Sequence, residues 1–269
     1  MGKIIAGINE KGGVSKTTTI KNLSIGLARR GKRVLAIDFD PSAMLTKVLG
    51  LYAGDSNETI VEIIQKTIEC EDVPDSFGIR HHDEGIDVII SKPKLHVCED
   101  QLASAFQREI VLRRYLETVQ DDYDYIFVDC PAGIGILSTN VLFCADDLII
   151  PLEPNYADIE ALHNLFPVIG KVRKLQGARH KPNILGVLFT KVRDSTKNHR
   201  ENIRECRKEY EGSTINIFRM VVPLSTRLPE ADKNKMSIYR YAEKKSEARK
   251  DTATFDLLID EILKREETK

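Results

Sequence analysis

Residues 7–19 combine small, basic and hydroxyl side chains in a short stretch. They include three glycines, the lysines Lys11 and Lys16, and three consecutive threonines, 17–19. An apolar run at 4–6 predicts a strand before this stretch, and an amphipathic run from Thr18 predicts a helix after it. Backbone N–H groups in a tight loop, together with the positive end of a helix dipole, form an anion site. The stretch therefore predicts a phosphate-binding loop between a strand and a helix.

Individual residues of this loop have separate expected tasks. Glycines let the backbone approach phosphate, Lys16 supplies a mobile positive charge, and the hydroxyl of Thr17 can ligate Mg²⁺. The loop departs from the pattern G-x-x-x-x-G-K-[ST] at Glu10 and Ser15, and it carries an additional lysine, Lys11. If the backbone at Ser15 needs a positive φ, serine costs ~1–2 kcal/mol that glycine avoids.

Three aspartates follow predicted strands. Asp38 and Asp40 come after an apolar run at 33–37, and Asp129 ends the most apolar run of the chain. Phosphoryl chemistry needs a metal-binding acid and a group that positions water, and parallel sheets place such groups at strand C-terminal ends. An aspartate at a strand end can also cap the next turn. Three beside a phosphate loop favour a metal site at Thr17, Asp38 and Asp129.

Strand and helix patterns alternate along the chain. Apolar runs predict strands at 3–8, 33–37, 86–90, 125–129, 148–151 and 184–189, with a short one at 215–218. Helical spacing predicts helices at 18–30, 43–49, 59–68, 99–119, 157–175, 194–210 and 252–264. This order predicts an α/β fold, a doubly wound and mostly parallel sheet with helices on both faces, in a single domain over 1–269.

Composition narrows the class of protein. The chain has 269 residues, of which 42% are hydrophobic and 30% charged, as in ordinary globular proteins. No apolar run approaches the ~20 residues of a membrane span, and the first apolar residues already form a strand instead of a leader. We therefore expect a cytoplasmic protein without membrane binding. The five cysteines form no C-x-x-C pair, which disfavours a zinc or iron–sulfur site.

The charge is unevenly distributed. The net charge is −1, but residues 171–250 carry 21 Lys/Arg against 9 Asp/Glu, a net charge of +12. So basic a segment in a nearly neutral chain indicates a face that binds a polyanion. The alternative is a set of solvated helix faces with no partner.

Several motifs resemble those of the ParA/MinD family of P-loop ATPases with a deviant Walker A loop. Lys-Gly-Gly-Val-Ser-Lys-Thr-Thr at 11–18 is similar to its K-G-G-x-G-K-[ST] loop, Asp-Phe-Asp-Pro at 38–41 to its D-x-D-P segment, and Asp-Cys-Pro at 129–131 to its D-x-P segment. Residues 222–228 resemble a family segment reading I-P-R-N-x-R-L. The chain is most similar to the short, Soj-like ParA partition ATPases.

The resemblance implies roles for individual residues. Lys11 would reach across a dimer interface to the partner's nucleotide, and Asp40 would orient the attacking water. The implied nucleotide-binding residues are Lys11, Gly12, Gly13, Val14, Ser15, Lys16, Thr17, Thr18, Thr190 and Pro223. Arg227 matches a family position for DNA binding, and four further candidates for DNA contact are chosen by charge alone: Lys235, Arg240, Lys244 and Lys245.

The implied function is that of a partition ATPase. Mg²⁺ and ATP would drive homodimerisation, the dimer would bind DNA non-specifically on the nucleoid, and a ParB-like centromere-binding protein would stimulate a weak intrinsic ATPase. One alternative is a MinD-like positioning ATPase, whose branch carries a basic, amphipathic C-terminal helix. Here the polar side of 255–263 is acidic, so we expect a packing helix. Another alternative is a non-hydrolytic, nucleotide-gated clamp in which Ser15 has weakened catalysis.

Overall fold

A seven-stranded sheet forms the centre of the protein. The computed structural model describes residues 1–74, 76–177 and 182–267. The strands are β1 (Lys3–Gly7), β2 (Val34–Asp38), β3 (Ile79–His81), β4 (Asp87–Ile89), β5 (Tyr125–Asp129), β6 (Asp147–Leu152) and β7 (Asn183–Phe189). Their order is β3-β4-β2-β5-β1-β6-β7; the pairing of β3 with β4 is antiparallel and the other pairings are parallel. The predicted mostly parallel sheet is confirmed.

Helices cover both faces of the sheet. They are α1 (Lys16–Ala28), α2 (Met44–Val48), α3 (Ile60–Ile68), α4 (Leu95–Ser104), α5 (Val111–Val119), α6 (Ile136–Cys144), α7 (Tyr156–Gln176), α8 (Lys197–Glu209), α9 (Arg227–Lys233), α10 (Ile238–Lys244) and α11 (Arg249–Glu267). One hydrophobic cluster joins α3–α8 to the sheet, and a second joins α1, α2 and α9–α11 to the opposite face. The doubly wound α/β prediction is therefore confirmed.

The central strands are apolar because both of their faces are covered. Every residue of β2, β5 and β6 is buried. In the parallel register Asp129 pairs with Gly7 on one side and with Asp38 on the other. The ends of β1, β2 and β5 therefore lie at one edge of the sheet, which brings the phosphate loop and the strand-end acids together.

Two predicted elements differ from the structure. The single helix expected at 99–119 is two helices, α4 and α5, because Gln107 has a left-handed backbone (φ 52°) and Asn140 donates a hydrogen bond to the carbonyl of Arg108. The strand expected at 215–218 forms only isolated bridge contacts beside β7, through hydrogen bonds between Val187 and residues 216 and 218.

Three elements lacked a clear sequence signal. The edge strand β3 has only three residues and no apolar alternation. Helix α6 is apolar on nearly all sides, so it shows no helical periodicity, and α10 is only seven residues long.

Candidate functional site

A cavity of about 440 Å³ lies between the loop after β1 and the segment that enters α9. The lining residues come from the loop and the start of α1, from the segment after β2, and from the chain around α9: Gly12, Gly13, Ser15, Lys16, Thr17, Thr18, Asp40, Ser42, Met44, Ala132, Lys191, Val222, Pro223, Leu224, Ser225, Leu228, Pro229 and Asp232. The cavity thus brings six of the eight predicted loop residues together with Asp40 and Pro223, whereas Lys11 and Val14 do not line it.

The loop backbone has the predicted strained position. Ser15 is left-handed, with φ 67° and ψ 27°, and Gly13 has φ 77°. Ser15 is the N-cap residue of α1, and its side chain makes no capping hydrogen bond. A non-glycine residue in this region costs ~1–2 kcal/mol, so the loop carries strain that it would lack with glycine.

Lys16 lies at the base of the cavity. Its side chain is almost fully buried, and Nζ donates to the carbonyl oxygens of Lys11 at 2.9 Å and of Asn9 at 3.4 Å. Burial lowers the pKa of Lys16, while negative groups nearby, among them Asp129 and Asp40, oppose that shift. The carbonyl groups hold the ammonium where it can meet phosphate oxygens at the N-terminus of α1.

Thr17 and Asp129 have the chemistry of a magnesium site. Thr17 Oγ1 donates to Asp129 Oδ2 at 2.7 Å. Asp129 is 1% exposed, and its Oδ1 accepts no hydrogen bond from the described residues. Burial, with the charge of Asp38 as a second cause, raises the pKa of Asp129 well above its ordinary value. A divalent cation would satisfy the free oxygen and favour the ionised form, so these two residues fit Mg²⁺.

Asp38 is engaged in holding the chain after β2. Its oxygens accept hydrogen bonds from the backbone N–H of Thr46 at 2.7 Å, the hydroxyl of Thr46 at 2.6 Å and the backbone N–H of Asp40 at 3.2 Å. Burial raises the pKa of Asp38 to about 6. These contacts favour a positioning role for Asp38 over the direct metal ligation that the sequence predicts.

Asp40 lines the cavity from the segment after β2. Its Oδ1 accepts a hydrogen bond from the backbone N–H of Ser42 at 2.8 Å, and its carbonyl accepts one from Ser91 Oγ at 2.8 Å. None of the described residues donates to its second carboxylate oxygen, which leaves an acceptor for a water molecule and suits the predicted role.

The side chain of Lys11 has a different partner from that of Lys16. Its Nζ forms an ion pair with Asp158 near the start of α7, and its side chain is 37% exposed. Lys191, which follows β7, donates to the carbonyl of Gly13 and to the carboxylate of Glu153, both at 2.6 Å. Two lysines therefore tie the loop to residues 153–158. The sequence pattern did not point to Lys191, Glu153 or Asp158, because each acts through a long-range contact.

Pro223 and Thr190, the two implied nucleotide-binding residues outside the loop, differ in their position. Pro223 lines the cavity with apolar neighbours. Thr190 is fully buried, and its hydroxyl lies within hydrogen-bond distance of the carbonyls of Val14 at 3.1 Å and Leu152 at 3.3 Å. Thr190 thus supports the loop from behind and is not among the cavity-lining residues.

The five DNA candidates do not form a uniform cationic face. Arg227 is paired with the buried Asp251, and Arg240 with Asp83. Lys235, Lys244 and Lys245 are exposed and have no ion pair within 4.0 Å in the described parts of the chain. The two arginines are therefore held in ion pairs within the protein, and the three exposed lysines are the better candidates for contact with DNA phosphates.

Known proteins share this sequence and fold. A family model described as an AAA domain matches residues 2–183. The sporulation initiation inhibitor protein Soj of Bacillus subtilis is 35% identical over 241 residues, covering 90% of this chain and 92% of that protein. The chromosome-partitioning ATPase Soj of Treponema pallidum is 30% identical over 266 residues, covering 99% of both chains.

The fold is also found in solved structures. A Cyanothece McdA variant in complex with ATP superposes with a TM-score of 0.84 at 22% identity, covering 97% of this chain and 96% of that one. Other solved structures of this fold hold ADP or an ATP analogue together with magnesium. With the loop, the Thr17–Asp129 pair and these relatives, the chain belongs to the ParA/MinD family of deviant Walker A ATPases, as a ParA-type partition ATPase that uses ATP and Mg²⁺.

Proposed function

We propose that Mg·ATP joins two copies of this chain, and that the joined form binds DNA without sequence preference. The observation that carries the proposal is the separation of the two loop lysines. Lys16 faces the phosphate end of its own cavity, whereas Lys11 is partly exposed and contacts Asp158 instead. Lys11 does not line the phosphate site of its own subunit, so in the proposed dimer it can bind the nucleotide of the neighbouring subunit.

The exposed basic side chains support the DNA step. Lys244 and Lys245 lie at the end of α10, and Arg249 and Lys250 begin α11; all four are exposed. Joining two subunits doubles the number of phosphate contacts, and each contact releases counterions, so DNA affinity rises steeply on dimerisation. Such contacts carry no sequence information. We therefore propose that the protein associates with the nucleoid in the cytoplasm.

A ParB-like centromere-binding protein completes the cycle by stimulating hydrolysis. A slow intrinsic ATPase fits two features of the loop. The backbone of Ser15 is strained, and Lys11 must break its ion pair with Asp158, so assembly of the complete catalytic site costs free energy. A slow basal rate lets the partner decide when the dimer separates.

The membrane-bound alternative is less well supported. Helix α11 buries its apolar side chains Phe255, Leu258, Ile259 and Ile262 in the core. Within the described residues, no helix has both the length and the apolar character needed to cross a bilayer. The apolar side of α11 is therefore already used for packing.

The test combines three measurements on the full chain. Sedimentation with no nucleotide, Mg·ADP and Mg·ATP should show dimer only with ATP. DNA anisotropy should show binding only under the same condition, to unrelated sequences alike. ATP turnover should rise when DNA and a ParB-like protein are both added. Dimer and DNA binding with ATP but no turnover under any condition would favour the clamp, and nucleotide-independent DNA binding would contradict the proposal.

A further inference from the structure

A second carboxylate lines the cavity besides that of Asp40. Asp232 lies near the end of α9 and next to the start of α1. Its Oδ2 is 3.4 Å from Thr18 Oγ1, and its Oδ1 pairs with Nζ of Lys21. Asp232 and Asp40 are the two acids among the described cavity-lining residues. Asp40 has an expected role in water positioning, whereas Asp232 has none so far.

The positive charge of Lys21 allows the carboxylate of Asp232 to lie close to bound phosphates. The Lys21 side chain is fully buried on α1, and Nζ also donates to the carbonyl of Met236 at 2.7 Å. Without a cation, an aspartate here would repel the phosphates. The pair removes most of that repulsion and fixes the orientation of the carboxylate. Because the long contact with Thr18 is the one hydrogen bond that Oδ2 accepts from the described residues, Oδ2 retains acceptor capacity.

The groups that line the cavity indicate what Asp232 faces. Lys16 and Thr17 have the chemistry to bind phosphate and Mg²⁺, and Thr18 lies one residue further along α1. The segment that enters α9 adds the apolar lining residues Val222, Pro223, Leu224 and Leu228. A nucleotide with its phosphates on the loop and its base against the apolar wall has its sugar between them, beside Thr18 and therefore beside Asp232.

We propose that Asp232 accepts hydrogen bonds from the ribose hydroxyls of the bound nucleotide and makes the site selective for ribonucleotides, with Lys21 as its positioning residue. The inference rests on ATP being the nucleotide of this cavity. Hydroxyl donors suit a carboxylate acceptor, and acidic side chains bind ribose hydroxyls in other nucleotide-binding α/β folds. A hydrogen bond to a charged acceptor makes a difference of about tenfold or more in affinity.

The test compares Mg·ATP, Mg·2′-deoxyATP and Mg·3′-deoxyATP by calorimetry on the full chain. The parent should bind ATP about tenfold more tightly than at least one deoxynucleotide. Asp232→Asn, which keeps the shape but loses the charge, should narrow that ratio by weakening ATP binding more than deoxynucleotide binding. Equal binding of all three by the parent overturns this inference alone. A parent that binds none of them overturns the ATP function as well.

A second variant separates ribose recognition from helix packing. Asp232→Ala leaves a buried lysine unpaired, so its folding is at risk. The double variant Lys21→Met/Asp232→Leu replaces the ion pair with apolar groups of similar size, leaves no unpaired charge in the core, and should keep the melting temperature near that of the parent. It should bind ATP and the deoxynucleotides equally. Two results would show that Asp232 only holds α1 against α9. One is a folded double variant that still prefers ATP as the parent does. The other is an equal loss of affinity for all three nucleotides in the single and double variants.

Discussion

At the scale of single residues, the two lysines of the loop lie five residues apart and have different partners. Lys16→Ala removes a buried ammonium from the phosphate end and should weaken Mg·ATP binding about tenfold to a hundredfold, the range for a charged hydrogen bond. Lys11→Ala should leave ATP binding measurable while abolishing the ATP-dependent dimer, because the proposed target of Lys11 lies on the other subunit. Calorimetry and sedimentation on both variants check this. The same loss of ATP affinity in both would remove the case for a cross-subunit Lys11.

A further prediction for a single loop residue concerns the backbone strain at Ser15. Its left-handed backbone (φ 67°) predicts that Ser15→Gly relieves strain and tightens ATP binding or raises turnover by up to about tenfold, since ~1.4 kcal/mol is a factor of ten. Gln107→Gly is the matched control, because Gln107 is also left-handed (φ 52°) but does not line the cavity. It should change thermal stability without changing nucleotide affinity. No change, or a loss, in Ser15→Gly would mean that the loop uses the serine hydroxyl.

At the scale of elements, the loop is tied to the start of α7. In the proposed dimer, Lys11 must leave Asp158 before it can reach the second subunit. Asp158→Ala should therefore strengthen the ATP-dependent dimer by up to about fivefold, since a partly exposed ion pair contributes up to ~1 kcal/mol. ATP affinity of the monomer should stay within about twofold, because Asp158 is not among the cavity-lining residues.

The dimer is measured by sedimentation at limiting Mg·ATP. Glu160→Ala removes a negative charge from the same helix at an exposed position and serves as the control. If Asp158→Ala weakens the dimer, Asp158 has a second role at the interface and does not restrain Lys11.

At the scale of the whole molecule, the distribution of charge decides where DNA binds. The double variant Lys244→Glu/Lys245→Glu should weaken binding on every DNA sequence and flatten the salt dependence of binding by about two units per subunit, since each phosphate contact contributes ~0.9 to the slope. ATP affinity should be unchanged. Lys32→Glu/Lys94→Glu makes the same change in net charge outside 171–250 and should have a much smaller effect. Anisotropy titrations at two salt concentrations measure both variants.

Arg227→Glu is a less clean test of the same face. Its guanidinium is paired with the buried Asp251, so a glutamate there would place two carboxylates together and lower stability. Equal DNA affinity in the Lys244/Lys245 variant and the parent would mean that this part of the basic segment is a solvated face.

Local patterns in the sequence determined the phosphate end of the site. Residues 11–18 are contiguous, and Asp129 follows an apolar strand, so their arrangement depends on one loop and on the geometry of a parallel sheet. The alternation of strands and helices likewise predicted the doubly wound fold. Short or uniformly apolar elements such as β3 and α6 were missed, because they have too few residues or no periodicity.

The tertiary structure alone decided which distant side chains meet the loop. Asp158 reaches Lys11 across 147 positions of the chain, and Asp232 reaches Lys21 across 211. It also decided that Asp38 bonds to Thr46 and that Arg227 is paired with Asp251. The sequence does not show whether a charged side chain will face water or pair with another residue, because that depends on which residues the fold brings within hydrogen-bond distance. The strand-end position of Asp38 and the charge of Arg227 therefore could not reveal their partners, whereas the residues of the phosphate loop are contiguous in the sequence.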